Sequence, residues 1–121
     1  MFIPSVYLHY IFSAERQVME EFQQLSRFIQ HAVSDHRLRP MHLAVLMALC
    51  DAWIDNNLQN GYHISRRRLM NAAKINSQVT YHIAIRQLQD LGYIEYTPSY
   101  HPKDGSTITL IGVSNHITEQ S

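Results

Sequence analysis

The sequence predicts an α+β fold, mainly helical, with one small β-hairpin towards its C-terminal side. Three observations carry that prediction. Apolar residues recur at steps of three and four through several stretches between Ala14 and Leu91, as helices buried on one face require. Apolar and polar residues alternate only after Gly92, in Tyr93–Thr97, and a second β-leaning run follows at Thr107–Ile111. Between them lies a loop ending in the turn pair Asp104-Gly105.

Residues 2–12 read as an extended arm, because Phe2, Ile3, Val6, Tyr7, Tyr10, Ile11 and Phe12 are β-branched or aromatic. They lack the basic start and cleavage site of a signal peptide. Ser13 then reads as an N-cap, with Glu15 in the favourable first turn. A helix follows from Ala14 to about His36, with an apolar stripe of Met19, Phe22, Leu25, Phe28, Ile29, Ala32 and Val33. That stripe either packs on the rest of the chain or pairs with the same helix of another protomer.

Pro40 disfavours helix at Arg39 and suits the first turn of a new helix, predicted from Met41 to about Asn57. This segment has almost no polar face, so it reads as the central core helix, with Trp53 its largest filler and Cys50 a small hydrophobe. Tyr62–Ile64 reads as a short strand. Ser65 caps a helix that opens on Arg66, Arg67 and Arg68 and turns at Lys74-Ile75-Asn76, with Ile75 pointing inwards. Asn76 or Ser77 caps the next helix, which ends before Gly92, a typical residue just past a helix end. Its core stripe is Tyr81, Ala84, Ile85, Leu88 and Leu91, which leaves Gln78, Val79, His82, Ile83 and Arg86 on the opposite face.

Helix, short strand, helix, turn, helix and hairpin is the order of a winged helix-turn-helix, here preceded by an extra N-terminal helix. Charge points the same way. The chain has ten bases and ten acids, yet no acid lies between Asp55 and Asp90, where Arg66, Arg67, Arg68, Lys74 and Arg86 all fall. A basic window in an otherwise acidic chain is the footprint of a nucleic-acid binder. Three cations in the first turn of a helix also oppose its dipole, which favours an anionic partner.

The expected chemistry follows from shape. The last helix fits the major groove, where Gln78 can bind adenine bidentately, Arg86 or His82 can bind guanine or a phosphate, and Val79 and Ile83 can meet thymine methyls. Arg66, Arg67 and Lys74 would neutralise phosphates, with Ser65 and Ser77 adding hydroxyls and helix N-terminal amides. Tyr100, His101 and Lys103 at the hairpin tip would touch the backbone or minor groove.

The pieces ISR at Ile64–Arg66, TYH at Thr80–His82, LGYI at Leu91–Ile94, PSYHP at Pro98–Pro102 and GS at Gly105–Ser106 also carry a family likeness. The segment from Ile64 to Ser106 resembles the C-terminal part of small winged-helix proteins of bacterial conjugative and mobilisable elements. That resemblance implies DNA binding in the regulation or movement of a mobile element. The chain departs at Ile83, where such proteins tend to be polar or basic, and the region before Met41 carries no likeness.

The organisation expected is therefore an arm and amphipathic helix over 1–36, a winged-helix DNA-binding domain over 40–112 and a polar tail over 113–121. The reading is of a sequence-specific binder of double-stranded DNA, a transcriptional regulator or mobile-element accessory factor, acting in the cytoplasm as a homodimer. A winged-helix protein-interaction module is the alternative. No enzyme is expected, because no Ser/His/Asp or Cys/His constellation and no glycine-rich phosphate loop is visible. No cofactor, metal, membrane or small-molecule ligand is expected. The eight histidines form no close ligand pair, and the single cysteine excludes an internal disulfide.

Overall fold

The computed structural model describes residues 4–98 and 105–113. In order these form α1 (Ser5–Ser34), α2 (Pro40–Asp55), β1 (Tyr62–Ile64), α3 (Arg66–Ala73), α4 (Gln78–Asp90), β2 (Ile94–Thr97) and β3 (Ser106–Leu110). The fold is mainly helical, with a three-stranded antiparallel sheet in the order β1-β3-β2.

The largest departure from expectation is at the N-terminal end. Residues 5–12 are the first turns of α1, not an extended arm, and Ser13 lies within the helix rather than capping it. Pro4, in extended conformation, precedes the first turn, and its carbonyl accepts from the amides of Tyr7 and Leu8 at 3.0 and 3.3 Å. Extending an existing helix adds one hydrogen bond per residue ordered, whereas an arm would need a strand to pair with. The β-leaning character of Val6, Tyr7 and Ile11 is too weak a preference to oppose that. Residues 2 and 3 lie outside the described residues.

α1 ends two residues earlier than predicted. Its cap residue Asp35 accepts from the backbone N–H and guanidinium of Arg37, at 3.0, 2.9 and 2.7 Å, and from the Tyr93 hydroxyl at 2.7 Å. Tyr93 also meets Phe28 edge to face, with ring centroids 6.0 Å apart. The end of α1 is thus fixed to the start of β2. Of the predicted α1 stripe only Phe28 and Ala32 are buried; Leu25 is half-buried, and Met19, Phe22, Ile29 and Val33 are exposed.

α2 is the core helix, with Val45, Leu46, Ala48, Leu49, Cys50 and Trp53 buried. It is less enclosed than its composition predicts, because Met47 and Ile54 stand exposed. Burial pushes the Cys50 thiol up to about 11, so it stays protonated near neutral pH and behaves as a packing group. Buried His42 links α2 to α4. Its Nδ1 accepts from the Arg39 backbone N–H at 2.8 Å, which leaves Nε2 to donate to Gln87 Oε1 at 2.7 Å. The Tyr62 hydroxyl donates to the Leu49 carbonyl at 2.7 Å and so ties β1 to the same helix.

β2 and β3 form the expected hairpin, pairing Ile94 with Leu110 and Thr97 with Thr107. β3 starts and stops one residue earlier than predicted, and β1 lies on its other edge, Tyr62 opposite Ile108. Tyr62, Ile64, Ile94, Ile108 and Leu110 bury their side chains, while His63 and Glu95 face outwards. Gly105 must be glycine twice over: its φ is +70°, and a Cβ there would lie 2.8 Å from the Ile64 carbonyl oxygen.

Candidate nucleic-acid interface

α3 and α4 follow one another across a short turn, residues 74–77. Ser65 Oγ accepts from the Arg68 backbone N–H at 3.1 Å, and Ser77 Oγ accepts from the Thr80 N–H at 3.2 Å, so both predicted caps are made. Lys74, at φ 62° and ψ 35°, closes α3 in the left-handed conformation and turns the chain. Ile75 is half-buried against the core and fixes the depth of the turn. On α4, Tyr81, Ala84, Ile85 and Leu88 are buried, and Leu91, just past the helix end, is half-buried.

The outward face of α4 follows from that burial. Gln78, Val79, His82, Ile83 and Arg86 are all exposed, Val79 at 69% and Ile83 at 37%. Arg66, Arg67, Lys74, Ser65 and Ser77 are exposed as well. One shallow depression brings Arg66, Arg67 and Gln78 together across the α3–α4 junction, with Asn71 and Asn76 also lining it. A second groups His82 and Arg86 with Gln89, Tyr96 and Pro98, where α4 meets β2.

The three arginines of α3 are not equivalent. Arg68 donates to Asp55 at 2.8 Å, an ion pair with both side chains open to solvent. Among the described residues Arg66, Arg67 and Lys74 meet no carboxylate at salt-bridge distance. The Ser65 and Ser77 oxygens accept from backbone, but each hydroxyl proton remains available to an anion. The tip residues Tyr100, His101 and Lys103 lie outside the described residues.

No protein-family model, curated protein or solved structure matches this chain.

Asn71 and Asn76 are the residues that sequence reading missed. Asn71 lies one turn after Arg67, on the same face of α3, and that i, i+4 spacing was the available signal. Tyr96 was read only as a strand residue; its hydroxyl accepts from Ser106 Oγ at 2.8 Å, bracing the hairpin where it borders α4. Among the described residues no three His, Cys, Asp or Glu side chains gather as a metal site would need, and no helix is long and apolar enough to cross a membrane.

Proposed function

We propose that this protein binds double-stranded DNA as a winged helix-turn-helix, with α4 in the major groove, α3 across the backbone and the β2–β3 hairpin as the wing. One observation carries the reading: Arg66, Arg67 and Lys74 are exposed and unclaimed by described carboxylates, around the N-terminal end of a helix whose outer face is open. Phosphates supply what those cations lack, and each neutralised phosphate releases counterions. Gln78, His82 and Arg86 then carry base contacts, and Val79 offers an apolar surface to a thymine methyl. Ile83, only 37% exposed, has less to offer a base edge. Regulation of transcription, or an accessory role on a mobile element, in the cytoplasm, is the use we assign to that binding.

The test is affinity for duplex DNA selected from a random pool, measured across a salt series. Binding weakens with salt by a log–log slope of about −0.9 per phosphate contacted. Arg66→Glu with Arg67→Glu lowers affinity by more than about ten-fold and flattens the slope by about two, with the melting temperature unchanged. Unchanged affinity in that variant overturns the reading. The exposure of Val79 and Ile83 favours a second reading, a protein-interaction module; a folded chain that ignores DNA yet holds a protein partner through high salt would establish it.

A further inference from the structure

We propose that α1 pairs antiparallel with α1 of a second copy of this chain. This surface is independent of the DNA reading and stands or falls without it. α1 is about 45 Å long at 1.5 Å per residue, yet its buried apolar side chains, Phe28 and Ala32, all lie in the last two turns. Another face of the helix carries an apolar seam, interrupted only at Glu15 and Ser26, into water. Leu8, Phe12, Met19, Phe22, Ile29 and Val33 are between 38% and 68% exposed. A lone exposed hydrophobe needs no explanation, but a stripe of this length on one helix marks an interaction surface.

The order of residues along the seam identifies the occupant. Its positions are Leu8, Phe12, Glu15, Met19, Phe22, Ser26, Ile29 and Val33, at steps alternating four and three, the spacing of a coiled-coil seam. The pattern is two-fold symmetric about the point between Glu20 and Glu21. Reversed on itself, it sets Leu8 against the partner's Val33, Phe12 against the partner's Ile29 and Met19 against the partner's Phe22. The two polar positions also meet each other, Glu15 against the partner's Ser26, a carboxylate facing a hydroxyl that can donate. A parallel pair would instead press Glu15 against the partner's Glu15 inside an apolar seam, which costs more than the seam can return. Self-complementarity of this kind is what a two-fold interface requires.

Area and shape agree. The six seam residues with Met47 and Val18 beside them expose roughly 800 Å² at about 100 Å² each, the share one partner contributes to a standard interface. At the far end of the seam Ile29, Val33, Leu43 and Met47 line an apolar groove of about 180 Å³ between α1 and α2. Antiparallel pairing delivers the partner's Leu8 and the partner's Phe12 to that groove. A cavity of roughly 150 Å³ holds a benzene ring, so a phenyl group fits.

Sedimentation velocity of the full chain over a concentration series tests this, without DNA present. The expected result is a monomer–dimer equilibrium. Phe22→Asp raises its dissociation constant at least about ten-fold while the circular dichroism of the core elements is kept, since Phe22 is exposed in the single chain. Direction is read from Ser26→Lys: against the partner's Glu15 it tightens the antiparallel dimer about four-fold, two ion pairs contributing a factor of about two each. Ser26→Glu loosens it by a similar factor. A monomer at every concentration, a dimer indifferent to Phe22→Asp, or a dimer weakened by Ser26→Lys overturns the proposal.

Discussion

α1 and α4 are both amphipathic helices, and on sequence alone their apolar stripes look alike. In the folded chain they have opposite fates. Tyr81, Ala84, Ile85 and Leu88 of α4 are all buried, while most of the apolar stripe of α1 is open to water. Connectivity explains the difference. α4 is followed at once by β2, and the Leu88 carbonyl accepts from the Tyr93 N–H at 2.9 Å, so the helix is folded back onto its own core. Among the described residues the apolar side chains by which α1 meets the core, Leu25, Phe28 and Ala32, all lie in its C-terminal third, beside the Asp35–Tyr93 bond. Periodicity thus reports that a face is to be covered. What covers it depends on how many neighbours the chain can bring there.

The most severe test of that contrast is a pair of truncations. Leu88→Ala removes a fully buried side chain and should cost about 2–5 kcal/mol of unfolding free energy. Phe22→Ala deletes a larger group from α1, yet should change monomer stability by less than about 0.5 kcal/mol. Urea unfolding of both variants at concentrations low enough to keep the chain monomeric checks this. A large loss from Phe22→Ala would mean that α1 packs on its own body.

A smaller effect separates the two helix starts. Ser77 caps α4 by accepting from Thr80, so Ser77→Ala should cost about 1 kcal/mol. Ser13 sits inside α1, where alanine is the better helix former, so Ser13→Ala should be neutral or stabilising by up to about 0.5 kcal/mol. Thermal melting distinguishes them. A clear loss at Ser13 would restore it as a cap and turn the first eight residues of α1 back into an arm.

α3, α4 and the pairing of β2 with β3 were legible because local chemistry marks them: Ser65 and Ser77 before helical runs, Gly92 after one, Asp104-Gly105 between strands. The outward face of α4 was legible for the same reason, since burial of Tyr81, Ala84, Ile85 and Leu88 fixes it by geometry. Two things were not. The start of α1 was hidden because aromatic and β-branched residues suit strands and exposed helices alike, and only the absence of a strand partner decides. The inequality of Arg66, Arg67 and Arg68 was hidden because it depends on Asp55, thirteen residues away from Arg68 and at the end of another helix. Contacts between elements leave no mark in spacing.

The bond that joins the two regions gives the smallest and most specific test. The Arg37 guanidinium beside Asp35, with the Tyr93 hydroxyl and the Arg37 backbone N–H, holds the Asp35 carboxyl well below the usual carboxylate range. Burial together with that carboxylate pushes Tyr93 up to about 12. A carboxyl whose value is lower in the folded than in the unfolded chain adds stability at every pH above the ordinary value of about 3.9, and the contribution fades as pH falls through the folded value. Arg37 is open to solvent, which screens the pair and keeps the effect below that of a helix cap. Asp35→Asn should therefore melt slightly lower than the natural chain at pH 7, and the gap should narrow as the pH is taken below about 4, where the unfolded chain's Asp35 takes up a proton that the folded chain's does not, and close only once the folded carboxyl is itself protonated. Melting curves of the two proteins at neutral and acid pH give the comparison. A gap that stayed constant across that range would assign the bond's worth to the shape of the α1 end and not to its charge. A gap that vanished, with α1 still helical, would show the junction to be an electrostatic clasp added to the packing of Phe28 and Ala32.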